Sequence, residues 1–472
     1  MSVNLEIVPS NVPSNGRVSF RDGNPLIQFI IGEQQRALIG RSVRLVGNFH
    51  VQLESGTGDS TYVQQTDDTS PDVTPSPNRP QWNSRLGIYN VIDQLVIKSQ
   101  ISHQTIEHIR HYNRFCASFI PILNSLEDSI GHLSESALIM PNFQVSYGGI
   151  MANQAQRGDG STGTGGNAFC CHLPCGLFNG VQSVPLGGTK GLLVEVHLAP
   201  DNSVLYGQSG QTAGYPNMFY ELSDVRLVAE AEDYDAQSQG TFEYNSVHSY
   251  YTSINSTNAI VNFNLGLTRV LGAFANFLPA QNINNLQTDG MATSVLIGGT
   301  SPLFDDPSAN HTAEIKQAVF LRGGQRFPLE YNIDTIHQNA NSEVVAMAQN
   351  GSVDPQLTRN FLDAVRQFSR IGRSSISTNN TYLLNNGGGG EGSVSQAGNF
   401  GGMDKTSAEG GLVYGVGVNY DSISGDGVDF STQNWGVQLE TGLQTDTPHA
   451  MYLFIHAKNT LVFNDGGIQV LA

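Results

Sequence analysis

The sequence predicts an all-β protein: two consecutive eight-stranded antiparallel sandwiches with a short helix in each. Three observations predict it. Charged residues make up 14% of the 472-residue chain, where soluble proteins average roughly 25%, and 52 residues are glycine. That is the composition of strands joined by turns and polar loops. Apolar residues come in short runs that alternate with polar ones, the period of a half-buried strand. One order of signals also occurs twice, as strands, hairpin, one helix, a Gly-rich loop and more strands. A single core stops growing near ~250 residues, so a chain of this length divides into two.

Residues 1–24 are polar, contain Pro9 and Pro13 and show no period, so they read as an arm that needs a partner surface to become ordered. From Pro25 the pattern changes to an apolar run, Leu26 to Ile31. Val43, Leu45, Gly47, Phe49, Val51 and Leu53 then share one parity, as a half-buried strand requires. Residues 54–81 are polar and rich in proline, a loop projecting into solvent. Strand signals resume at 86–99. Ser102 is placed to cap a helix in which Ile106, Ile109, Tyr112 or Asn113, and Cys116 recur at helical spacing. A Gly-rich loop covers 157–166, Leu192 to Leu198 alternates, and a strand pair is expected over 219–230.

The acidic stretch 230–240 is poor in apolar residues and marks the domain boundary. The expected division is an arm at 1–24, a first sandwich at 25–232, a linker at 233–240 and a second sandwich at 241–472. In the second half Val261, Phe263, Leu265 and Leu267 alternate, and an apolar segment runs from Val270 to Leu278. Gly323-Gly324 between two strand-like runs signals a two-residue hairpin. Asp354 caps a helix with Pro355 at its first position, Leu357, Phe361, Val365 and Phe368 on one face, and Gly372 as its stop. A Gly-rich loop at 387–402, the alternating residues Leu412 to Tyr420, and strands at 436–443 and 451–471 complete the chain. Eight-stranded sandwiches of the jelly-roll type interlock the inner faces of two sheets, which suits a part that must tile without fibrous edge-to-edge pairing.

The formal charge of −18, with only 23 Lys and Arg, argues against strong nucleic-acid binding by the body of the chain, because that affinity is largely a cationic counterion-release effect. No apolar stretch approaches the roughly 18 residues of a membrane span, and the first residues carry no signal-peptide pattern, so a soluble, non-exported protein is expected. Four cysteines, three of them at 170, 171 and 175, point to a reducing site of folding and free thiols. The sequons at Asn255, Asn310, Asn350 and Asn379 then read as chance matches.

No residue is assigned a catalytic, cofactor-binding or metal-binding role, and no cofactor is expected. Cys170, Cys171, His172 and Cys175 carry zinc-ligand chemistry, but adjacent cysteines rarely reach one tetrahedral ion, and small buried thiols are the simpler reading. The Gly-rich stretches lack a βαβ context, and the GGTKG of 187–191 lacks the full phosphate-loop pattern. Glu230, Glu232, Asp233 and Asp235 read as a solvated charge run before a calcium or acid/base site. His103, His108 and His111 fall near the first predicted helix as capping, surface or interface residues, with pH-sensitive assembly as the other reading.

Several segments resemble the double jelly-roll major capsid proteins of Polinton-like viruses, adintoviruses and virophages. They are LGIYNVIDQLVIKSQ with TIEHIRHYNRF (86–115), YELSDVRLVAE (220–230), VNFNLGLTRVLGAFANF (261–277), GVQLETGL (436–443) and MYLFIHAKNTLVFNDGGIQVL (451–471). The polar insertions at 54–81 and 151–168 depart from the pattern. The resemblance implies a structural, non-enzymatic DNA-virus protein whose two barrels stand side by side across the shell. Three chains would form a pseudo-hexagonal capsomer that tiles an icosahedral capsid, with the N-terminal arm beneath the trimer. It also implies penton and minor capsid proteins as partners, and a place in the virion after assembly inside the host cell. The competing expectation is a viral or host carbohydrate-binding β-sandwich, which calls for aromatics clustered on loops; the only tryptophans, Trp82 and Trp435, stand far apart in sequence. A jelly-roll glycosidase would need two carboxylates converging in a cleft, about 5 or about 6.5–9.5 Å apart depending on mechanism.

Overall fold

The structure is a computed structural model. It describes residues 2–12, 16–54, 60–62, 81–82, 87–123, 137, 167–206, 217–234, 239–280, 315–327, 333–334, 364–365, 368, 416–420, 426–441, 448–464 and 467–472, except 22, 24, 33, 34 and 181. The first half begins with β1 (Ser2–Ile7), β2 (Arg17–Val18), β3 (Leu26–Ile31), β4 (Arg36–Leu38), β5 (Arg44–Glu54), β6 (Ser60–Tyr62) and β7 (Gln81–Trp82). A 3-10 turn (Gly87–Val91) leads into β8 (Ile92–Ser99), β9 (Thr105–Arg110) and helix α1 (Tyr112–Leu123). There follow β10 (Asn167–His172), α2 (Gly176–Asn179), β11 (Val184–Pro185), β12 (Leu192–Leu198), α3 (Asp201–Val204), β13 (Leu205–Tyr206) and β14 (Asn217–Asp233).

One sheet of this half has the order β10-β5-β14-β4-β11, with β1 and β2 added to β14 and β6 to β5; a second has the order β3-β12-β8-β9, and β13 pairs with β7 in a small two-stranded sheet. The alternation read in β5 buries Leu45, Phe49 and Val51 against Ile27, Phe29 and Ile31 of β3 and Val194 and Val196 of β12. These residues meet because period-2 side chains of two sheets point at one another. Short strands of two or three residues lengthen the sheet edges and carry the strand number past eight.

The N-terminal segment orders on the chain's own surface. β1 lies antiparallel to β14 with Ser2 opposite Glu232 and Ile7 opposite Leu227. Leu5 and Ile7 pack on the core while Arg226 pairs with Glu6. β14 is one 17-residue strand where the sequence suggests a pair. Its register slips between Ser223 and Arg226, and Asp224 takes a left-handed φ of 51°, so a bulge bends the strand without ending it. Part of the 54–81 segment pairs as well, β6 folding back on β5. Its other residues, apart from β7, lie outside those described, as does the 157–166 stretch.

The helix expected from Ser102 is corrected. Thr105–Arg110 is a strand paired with β8, and the helix starts at Tyr112. Leu95 faces Ile109 and Ile97 faces Glu107, with a register shift that leaves Ile106 as the extra residue of a bulge. That bulge gives Ile106 and Ile109 their helix-like spacing of three. His111, at φ 53°, turns the chain out of the strand and into α1. The 3-10 turn likewise takes the first residues of the strand expected at 86–99.

The second half comprises β15 (Gly240–Ile254), β16 (Asn258–Phe263), β17 (Val270–Pro279), β18 (Ile315–Arg322), β19 (Gln325–Phe327), β20 (Ile333–Asp334), β21 (Val416–Asn419), β22 (Trp435–Thr441), β23 (His449–Asn464) and β24 (Gly467–Leu471). Its sheets have the orders β15-β23-β17-β21, with β24 on β23, and β16-β22-β18-β19, with β20 on β18. Their inner faces bury Phe320, Val437, Leu439, Leu453, Ile455 and Trp435, whose indole N–H donates to the Tyr420 hydroxyl at 3.0 Å. The Gly323-Gly324 hairpin joins β18 to β19, and Gly323 supplies the φ of 57° that the turn requires. Of the second predicted helix, Ala364 and Val365 are helical and buried with Phe368. Asp354, Pro355, Leu357, Phe361, Gly372, the 387–402 stretch, Leu412 and Tyr414 lie outside the described residues. Every described strand pairing is antiparallel.

Candidate functional site at the seam of the two halves

The two sandwiches meet over an apolar surface. Phe115 of α1 stacks among Phe274 of β17, Phe454 of β23 and Phe368, with ring centroids 6.2, 5.5 and 5.8 Å away. Phe274 and Phe454 are themselves 5.3 Å apart. These rings, with Phe242, Tyr244 and Phe463, join the core of the first sandwich rather than that of the second. The result is visible in β23, where every residue from 449 to 457 is buried before alternation resumes at 458. A strand covered on both faces loses its polar positions.

Beside the rings two sheet edges abut. β9 ends one sheet of the first sandwich and β15 ends one sheet of the second, yet the two do not form a ladder. Side chains satisfy their buried backbone groups instead. The Tyr244 hydroxyl donates to the Ile106 carbonyl at 2.7 Å, and the Arg110 N–H donates to Ser249 Oγ at 2.8 Å. Between them the Glu107 carboxylate accepts the N–H groups of Gly176 at 2.9 Å, Leu177 at 3.0 Å and Val247 at 3.0 Å. Burial pushes its carboxyl up to about 7, against the pull of those donors and of the Cys175 thiol. Backbones approach closely here: a Cβ on Gly176 would lie 1.4 Å from the Asn245 carbonyl oxygen. Arg114, 4% exposed, sits over the Tyr452 ring at 5.2 Å, and its carbonyl accepts from Asn276.

The residues singled out in the sequence are spread over the molecule. Cys170 and Cys171 are successive residues of β10 and so point to opposite faces of its sheet, while Cys175 hydrogen-bonds with Glu107. All four cysteines are free, and burial pushes the thiols of Cys116, Cys171 and Cys175 up. Among the described residues no three His, Cys, Asp or Glu are grouped to hold a metal ion. The 187–191 turn spends its N–H groups on itself, those of Thr189, Lys190 and Gly191 donating to the carbonyls of Pro185, Gly187 and Leu186. A phosphate-binding loop instead aims such donors at its ligand.

Glu230, Glu232 and Asp233 lie on β14, Glu230 and Glu232 toward one face of the sheet and Asp233 toward the other. Glu232 accepts from Ser183 at 2.6 Å and Asp233 pairs with Arg36 at 3.7 Å; Asp235 lies outside the described residues. His103 occupies the β8–β9 turn, His108 meets Gln94 at 3.0 Å, and His111 packs edge-on against Tyr452 at 4.9 Å. Burial first, then Arg110, lowers the His108 pKa to about 4, and burial lowers that of His111. Asn255 lies in the exposed β15–β16 turn, and the other three sequons fall outside the described residues. Among the described residues no helix is long and apolar enough to cross a membrane. Nothing in the local sequence marks Glu107, which accepts three N–H groups at the seam, because its position also fits the spacing of a helix.

No family model matches the chain, and no curated protein does. Among solved structures it is similar to the Faustovirus major capsid protein, with a TM-score of 0.51 and 8% identity over 98% of this chain and 90% of that one. It is also similar to PBCV-1 VP54 as fitted into a cryo-EM reconstruction of the virophage Sputnik, with a TM-score of 0.50 and 10% identity over 100% of this chain and 96% of that one. Likeness at this identity is likeness of fold, and it extends over the length of the chain. The chain therefore has the double jelly-roll fold of these capsid proteins.

Proposed function

We propose that the chain is a structural major capsid protein whose trimers form pseudo-hexagonal capsomers and tile an icosahedral shell. The observation that carries this reading is the seam, whose packed rings and bonded edges fuse two sandwiches into one block. Three such blocks about a threefold axis offer six barrels to a hexagonal lattice, and rigid edges suit heterologous contacts that must close. The segment resemblance and the shared fold point the same way.

On this reading the domains are the arm (1–24), the first sandwich (25–232), the linker (233–240) and the second sandwich (241–472). The chain is non-enzymatic, acts without cofactor, and works in the virion capsid after assembly inside the host cell. Its partners are copies of itself, then penton and minor capsid proteins. The charge of −18 leaves genome neutralisation to other components. Mass photometry and electron microscopy of the purified chain test the proposal. Particles of three times the 50.8 kDa chain mass that pack into hexagonal arrays are expected. Monomers that bind glycans would overturn it in favour of a carbohydrate-recognition sandwich.

A further inference from the structure

The abutting edges of β9 and β15 pose a problem that the apolar seam does not solve. A sheet edge carries unpaired N–H and C=O groups, and a buried one must find partners for them. Here Val247 N–H points out of the second sandwich, while Gly176 and Leu177 N–H, at the start of α2, point out of the first. Three donors converge, and among the described residues the acceptor they meet is the Glu107 carboxyl. The register that pairs Ile97 with Glu107 turns this one carboxylate inward, onto the same face as Ile109, and brings it among them.

We propose that Glu107 is the latch that fixes the two sandwiches relative to one another, a single carboxylate accepting backbone N–H groups from both halves at once. Its Oε1 is shared by Gly176 of the first half and Val247 of the second, and its Oε2 takes Leu177. The sharing demands close backbone approach, which is why position 176 has no room for a Cβ. Apolar packing resists separation but is non-directional and tolerates sliding; a carboxyl group with three fixed donors does not, because hydrogen bonds weaken steeply with angle. Tyr244 to Ile106 and Arg110 to Ser249 flank the latch and complete a line of contacts along the seam. The latch is a property of the single chain, so its test is independent of whether the chain forms capsids.

The test is amide hydrogen exchange of the full chain. In E107M, which keeps the length of the side chain and removes both acceptors, the amides of Gly176, Leu177 and Val247 should exchange together, about ten- to hundredfold faster. The ladder between β12 and β8, away from the seam, should keep its protection. E107Q, with one acceptor oxygen left, should give a smaller loss at the same three amides, and it alone decides the matter if E107M does not fold. Unchanged protection at Val247, or a loss confined to Gly176 and Leu177, would show Glu107 to be a cap of α2 only and overturn the proposal. So would a loss spread evenly over both sandwiches.

Discussion

The two sandwiches share a layout but close their cores differently. The second sandwich seals Trp435, Tyr420, Phe320 and their neighbours between its own two sheets. The core of the first continues past its own sheets through α1 and onto the outer face of β17 and β23. One wall of the second half is therefore structural material for both. The asymmetry shows that the first sandwich depends on the second for burial, whereas the inner core of the second is self-contained.

The largest expected effect tests that dependence. Phe454→Ala at the shared wall should cost about 3–5 kcal/mol in denaturant unfolding. It should also lower exchange protection in both halves, whereas Phe320→Ala should lower it mainly in the second. Equal, local losses from the two substitutions would break the comparison. Gly176→Ala comes next, at about 3 kcal/mol, because the new methyl meets the Asn245 carbonyl, a backbone atom that moves only with β15. A fully stable G176A chain would show that the halves are free to shift.

The pH dependence of stability separates Glu107 from the buried histidines, two of which lie on the same two edge strands. Glu107, raised from 4.5 to about 7, keeps its proton in the folded chain over a range where the unfolded chain has lost it. Its contribution is full below 4.5 and is lost as pH rises through 7. His50, His108 and His248, each lowered from 6.5 to about 4, contribute stability above 6.5 that is lost as pH falls through 4. Urea unfolding of E107Q across this window should therefore show a steeper acid-side decline than the parent. Identical profiles would mean that Glu107 titrates alike in the folded and the unfolded chain. Tyr244→Phe is the mildest change, about 1 kcal/mol for leaving the Ile106 carbonyl unpaired.

Much of the fold was legible because period-2 alternation survives wherever one face of a strand meets solvent. β5 and β12 follow directly from their parity, and the Gly323-Gly324 hairpin from its turn residues. The signal failed where the halves meet. At β9 a bulge created a spacing of three that imitates a helix, and the neighbouring half buried a charge whose partners, Gly176 and Val247, lie 69 and 140 residues away. No local pattern encodes an acceptor for N–H groups so distant in sequence. The continuous apolar run at 450–455 did carry a trace of the seam, since a strand without polar positions is covered on both faces.

Joining the sandwiches through side chains and not through a β-ladder has a consequence for how such a chain can change. A ladder running from β9 into β15 would couple strand register across the boundary, so that a one-residue slip in one sheet would flip the faces of the next. With Glu107, Tyr244 and Ser249 as the connectors, each sandwich keeps its own register. Insertions in the loops of one half then leave the pairing of the other untouched, and the joint is held by a handful of contacts.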